Sequence, residues 1–549
     1  MAEATSTPTT SELASAALLK AEGNKLFASK DYRAARTKYS EAIEVNGRDA
    51  TLYANRAACS IAMKKYMDSA YDSQQAVALD PGYTKAWARL GTSLRNIGRY
   101  EDSVAAFKSA LESLPAGDDA ALTEAQRGVR EQVLDGLRGV RERLLHVPAG
   151  CVCAPESLEG APWRRAADMQ RAQSRQPGPA GAKSSVWVLA RAQEEFELGM
   201  KNIMKVRAVE HGHTVEFIGI NGAICSLTNG ILRDYRVFHV IDREWMTHCA
   251  MQVQMELLQY GYDVYNLYVS GGPQRLIAEA MRMSEREGWD VLRPGLSTIL
   301  RCWIMDGFHH VRVREDPAVA IVFLDAVVEV LEWGRETWKD LPETVRGEVF
   351  EDAFLVGVKS LRLYAFLEHT RKVDGSPESL ARLEMSHEIA VELRDAVVNA
   401  TEPDRGDQGS WLSFYVYPKA HAISAIALYH RRIVDYVSDE QTVQEHWTQA
   451  TQAFLEAART YPDDDEHHVQ HLGFAVDAMV NTDATVHDLL DVFDGIEQQL
   501  PAVNEIWEQS ISQITFMRTH IPKYREIEQW VRGRVARGEL RVEDSVTSI

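Results

Sequence analysis

Six cysteines in 549 residues are too few and too unevenly spread to build a disulfide framework. Their scarcity points to a reducing compartment, so the chain is expected in the cytoplasm, with the nucleus as a further location. No run of about 18 apolar residues occurs, and no membrane span is predicted. The opening MAEATSTPTTSE lacks the charged-then-apolar order of a secretory signal, and residues 1–13 read as a disordered lead. Positive charge is short: 60 Lys and Arg stand against 80 Asp and Glu, a net of −20. With no polybasic tract, neither nucleic acid nor an anionic membrane is an expected partner.

The usual catalytic signatures are missing too. There is no Walker loop, no G-x-G-x-x-G after a strand, no G-x-S-x-G and no H-E-x-x-H. No cofactor and no metal are expected, and the chain reads as a binding protein. An enzyme with an unfamiliar active site beyond residue 186 is the rival class, since motif lists do not cover every chemistry.

What the chain does carry is a period. Gly23, Ala57 and Gly91 lie 34 residues apart, as do Tyr32, Tyr66 and Tyr100, and Ala42, Ala76 and Ala110. Gly47, Pro81 and Pro115 close the units at the same spacing. This order of small residue, aromatic, small residue and turn former is that of the helix–turn–helix tetratricopeptide repeat (TPR). Pro81 and Pro115 stop the second helix of their units, because proline lacks an amide donor and clashes with the preceding turn. One unit cannot bury its own apolar face, so about three and a terminal cap are needed. The sequence therefore predicts a three-repeat helical solenoid over 14–118 and a capping helix over 119–146.

Five polar side chains fall in register on the first helices of these units. Counting Gly23 as position 8, Lys20 and Asn24 take positions 5 and 9, Asn55 position 6, and Lys85 and Arg89 positions 2 and 6. Such spacings share one helix face, and equivalent helices line the concave side of a solenoid. Two ammonium groups, a guanidinium and two amides then converge as donors for carboxylates, one of them the end of a peptide. Charge agrees: from Ala14 to Ala116 there are 15 Lys and Arg against 11 Asp and Glu, a net of +4, while the rest of the chain carries −24.

The segments LLKAEGNKLF, LYANRAA and DPGYTKAWARLG resemble the carboxylate-clamp TPR domains of Hsp70/Hsp90 co-chaperones. The resemblance spans 14–145, and all five clamp residue types are present as Lys20, Asn24, Asn55, Lys85 and Arg89. It implies binding of the acidic Glu-Glu-Val-Asp tail of cytosolic Hsp70, Hsp90 or both, with the remainder of the chain engaging a client or second partner.

Residues 147–185 hold Pro148, Pro155, Pro162, Pro177 and Pro179 and read as a flexible linker. Within it PWRRAADMQRAQ is a candidate short helix, and Cys151 and Cys153 lack the further pair that a zinc site of about four ligands needs. From 186 to 549 the chain reads as a mostly α-helical domain. Asn221-Gly222 and Asn229-Gly230 are hairpin signals, so a three-stranded antiparallel meander is predicted over 214–241. Helical hairpins of solenoid type are predicted over 418–481, where Ala450, Phe454 and Ala457 precede Tyr461-Pro462. His467 and His471 share a helix face beside Asp463, Asp464 and Asp465. The acids suit a helix N-terminus, and the histidines read as solvated rather than as metal ligands. His211 with His213, and His309 with His310, are weaker pairs. Trp303, Trp333, Trp338 and Trp411 read as packing.

Overall fold

The computed structural model describes residues 9–115, 122–145, 158–173, 183–212, 214–240, 242, 244–371, 374–400 and 407–548. The chain is mainly α-helical and divides into two compact units. Unit 1 joins Met1–Gly150 to Leu257–Leu341, and unit 2 joins Cys151–Glu256 to Pro342–Ile549.

Unit 1 opens with three helix pairs: α1 (Thr10–Ala28) with α2 (Tyr32–Val45), α3 (Ala50–Ala62) with α4 (Tyr66–Leu79), and α5 (Thr84–Asn96) with α6 (Tyr100–Glu112). The turn inside each pair uses left-handed backbone at the same repeat position, Lys30 (φ 65°), Lys64 (φ 59°) and Gly98 (φ 74°). The repeat thus dictates an unusual backbone state even where a lysine occupies it. Small residues do what the period implies. A Cβ on Gly23 would come within 2.8 Å of the Tyr39 ring, and Gly91 is similarly pressed by Phe107. α7 (Glu124–Leu145) closes the stack, burying Val133 and Val140 completely.

The lead begins to fold earlier than expected. Thr9 and Glu12 form a reciprocal capping box that satisfies two orphan amides and starts α1 at Thr10. Residues 10–13 are therefore helical; residues 1–8 lie outside the described residues.

Unit 1 is completed by helices from far along the chain: Tyr262–Ser270, Pro273–Arg286, Trp289–Arg312 and Pro317–Thr337. Leu300, Trp303, Phe308, Leu324 and Leu331 are fully buried among them. They meet the repeats through α4, α5 and the turns inside the pairs. The Gln274 amide donates to Asp68 at 3.1 Å, and Lys65 lies 2.8 Å from Glu329. Burial pushes the Asp68 carboxyl up to about 6, with Arg36 at 3.6 Å acting against it. The expected single domain over 186–549 is thus divided, because this stretch completes the repeat module's core.

In unit 2 the stretch read as a linker contains the helix Pro162–Gln173, whose Trp163 stacks on His239 at 5.1 Å and whose Arg165 pairs with Glu508 at 3.1 Å. Cys151 and Cys153 lie outside the described residues. The helix Ser185–Ile203 follows, then β1 (Arg207–His211) paired antiparallel with β2 (Thr214–Ile218). These are the strands among the described residues, so the three-stranded meander over 214–241 gives way to a two-stranded hairpin that begins earlier. Both Asn-Gly signals have other uses. Gly222 (φ 85°) is the left-handed N-cap of the helix Ala223–Arg233. Gly230 lies within that helix, where a Cβ would sit 2.9 Å from the Ala192 carbonyl oxygen. Close helix approach, not a turn, is what this glycine provides.

Further on, a short helix Glu343–Arg346 ends at Gly347 (φ 87°), and the long helix starts at Asp352. The helices Tyr417–Ile433, Glu440–Thr460, Glu466–Met479 and Val486–Trp507 then pack each against the next. Ala450, Phe454 and Ala457 are fully buried there. Among the described residues no helix is long and apolar enough to cross a membrane.

Candidate peptide-binding groove

α1 and α5 turn Gly23 and Gly91 toward Tyr39 and Phe107 of the second helices, and positions 2, 5, 6 and 9 fall on the adjoining face. Asn24 and Asn55 are brought together: the Asn55 amide donates to Asn24 Oδ1 at 3.2 Å, and the same oxygen accepts from the Tyr39 hydroxyl at 2.8 Å. Arg89 reaches back one repeat and donates from Nη1 to the Ala54 carbonyl at 2.6 Å, one residue before Asn55. Asn24, Asn55 and Arg89 therefore bridge three repeats. Burial lowers the Arg89 pKa from its ordinary value, with Tyr83 acting against it. The group stays charged at any working pH.

The three cations are not equivalent. Lys20 lies 3.0 Å from Asp49 and donates to the Thr51 hydroxyl. Lys85 is exposed, and among the described residues neither Lys85 nor Arg89 has a carboxylate within 4.0 Å. Other arginines of the repeats do. Arg56 holds Asp72 through two bonds of 2.9 and 2.7 Å, and Arg36 faces Asp68. Asp49 was not singled out from the sequence. An aspartate just ahead of a predicted helix was the available signal, and its side chain does cap α3 through the Thr51 amide.

A three-repeat TPR module with an amide- and cation-lined helix face is the class that this fold and face define. No family model matches the chain. Over 111 residues it is 39% identical to small glutamine-rich tetratricopeptide repeat-containing protein 2 of Mycosarcoma maydis, covering 20% of this chain and 32% of that protein. Over 122 residues it is 33% identical to serine/threonine-protein phosphatase T of Aspergillus oryzae, covering 22% of this chain and 26% of that protein. A solved structure, the first TPR of Spaghetti (RPAP3) bound to HSP90 peptide SRMEEVD, is 26% identical. That match covers 24% of this chain and 94% of that one, with a TM-score of 0.21. The chain thus spans about a third or less of the curated relatives named here and is similar to TPR co-chaperones over about a fifth of its length.

Unit 2 holds a different cluster. Arg236 bonds to Asp234 at 2.7 Å, Asp465 at 3.0 Å and His467 at 2.9 Å, and lies 4.2 Å over the Trp507 ring. Burial works to raise the Asp465 carboxyl, but Arg236 and His467 hold it well below the usual range. Asp465 also caps the helix Glu466–Met479. The expectation of solvated histidines fails here, because His467 is half-buried and His471 is 4% exposed. His471 uses one ring nitrogen on the His467 carbonyl and the other on Ser424, both at 2.6 Å, which leaves neither for a metal. Burial, with His467 beside it, pushes its pKa down to about 3. A cavity of about 650 Å³ in the same unit is lined by Asp352, Lys359, Asp407, Trp411 and Phe414 among others, and none of the Arg236 cluster lines it.

Proposed function

We propose that the repeats bind the acidic C-terminal tail of cytosolic Hsp70, Hsp90 or both, through Lys20, Asn24, Asn55, Lys85 and Arg89. Unit 2 then engages a client or second partner, and the chain acts as a non-enzymatic adaptor. The observation that carries this reading is the state of Arg89 and Lys85: cations on one groove face with no carboxylate among the described residues, in a module where Arg36 and Arg56 each face an aspartate. A half-buried guanidinium without an anion is costly, and an incoming carboxylate would satisfy it. In unit 2 the buried ionisable cluster and the cavity do not coincide, which supports binding over chemistry.

The test is calorimetry of the full chain with a short peptide ending in Glu-Glu-Val-Asp, as free acid and as C-terminal amide. The free acid should bind at micromolar affinity, about −7 to −8 kcal/mol, and the amide at least about tenfold more weakly, since one carboxylate charge is gone. Equal affinity for the two forms would reject the clamp.

A further inference from the structure

Among the described residues, Lys20 is the groove cation that already faces a carboxylate. Its ammonium lies 3.0 Å from Asp49 Oδ2 and also donates to the Thr51 hydroxyl. The two oxygens of Asp49 divide their work. Oδ1 accepts the Thr51 amide at 2.8 Å and the Thr51 hydroxyl at 2.6 Å, so it caps α3. Oδ2 holds Lys20. Lys20 and Asp49 keep 30% and 28% of their side-chain surface, so this pair is reachable from solvent.

We infer that Asp49 is an internal occupant of the Lys20 position and sets how tightly the groove takes an acidic ligand. This rests on the groove reading proposed above. A ligand carboxylate approaching Lys20 must displace Asp49 or share one ammonium with it, and Asp49 opposes it with a like charge. Lys85 and Arg89 impose no such exchange. The groove is therefore graded: one end accepts an anion directly, and the other yields only to a ligand acidic enough to outcompete Asp49. Ligands with carboxylates at both ends gain most, and ligands with one gain least.

Asp49→Asn separates the two jobs of this side chain, because asparagine caps helices as well as aspartate and carries no charge. Full-chain wild type, Asp49→Asn and Glu44→Gln are compared in calorimetric titrations with the free-acid peptide ending in Glu-Glu-Val-Asp. Glu44 is exposed on α2 and controls for the change in net charge. Asp49→Asn should bind about threefold more tightly, the scale of an exposed ion pair, while Glu44→Gln stays at the wild-type value. An unchanged or weaker Asp49→Asn, or an equal gain in Glu44→Gln, overturns the inference while leaving the groove reading standing. Absence of binding in all three proteins overturns the groove reading itself and this inference with it.

Discussion

The Tyr100 hydroxyl donates to the Asp316 carboxylate at 2.5 Å across 216 residues of sequence, tying the third repeat to the helix Pro317–Thr337. Arg143 of the capping helix reaches the same carboxylate at 3.3 Å. Asp316 is 3% exposed, so both contacts sit where a lost partner is expensive. Tyr100→Phe should lower full-chain stability by about 1.5–3 kcal/mol, the range for a hydrogen bond to a charged group. Urea unfolding measures it, and a loss below about 0.5 kcal/mol would mean that the hydroxyl contributes little to holding the distant helix.

The groove assignment is tested by Lys85→Ala and Arg89→Ala. Removing one partner of a partly buried charge contact costs about 2–5 kcal/mol, enough to erase a micromolar complex at Arg89. Exposed Lys85 should cost less, about 1 kcal/mol. Alanine favours the helix at both places, so the thermal transition should hold. Lys108, exposed on α6, is the control. Added salt should weaken the wild-type complex. Peptide binding by Arg89→Ala equal to that of Lys108→Ala would remove Arg89 from the site.

Gly230→Ala distinguishes a helix-contact glycine from a turn glycine. The new methyl group would press on the Ala192 carbonyl and on Phe196. A loss of about 1–3 kcal/mol is expected from overpacking. A neutral or stabilising result in a urea titration would show that the two helices can part at no cost.

Stability of unit 2 should fall as pH drops below about 6.5. Burial pushes the pKa values of His421 and His471 down to about 3 and that of His430 down to about 4. The unfolded chain takes up these protons near the ordinary histidine value, while the folded chain resists them. Below that value the unfolded state binds more protons, so acid favours it, by at most about 1.4 kcal/mol per pH unit for each histidine. His421→Gln should flatten the slope of stability between pH 7 and pH 5. A slope identical to wild type would mean that this imidazole is protonated in the fold.

The repeats were legible because their period fixes helix, turn and small residue together, and the five candidate groove positions were chosen from that register. Other features depended on contacts that sequence spacing does not encode. Gly230 carries the same Asn-Gly signal as a hairpin, and only the neighbouring helix at Ala192 reveals its use. His467 and His471 looked solvated because Arg236, 231 residues before His467, gives no local sign that it will bury them. The pairing of Asp68 with Gln274 was likewise invisible, since nothing in α4 marks an acid that meets a helix 206 residues away. The capping box at Thr9 and Glu12 was readable and overlooked, masked by the small polar residues before it.

The divided make-up of unit 1 has a consequence for synthesis. The capping helix ends at Leu145, and the segment that completes the unit begins at Leu257. At roughly 5–20 residues per second, this interval corresponds to about 6–20 s of translation. For that time the finished repeats stand at the ribosome with the burial sites of Tyr100 and Asp68 still open to water. The helices that carry Lys20, Asn24, Asn55, Lys85 and Arg89 are all made by then, so these side chains are in place before the helices that cover Tyr100 and Asp68 exist.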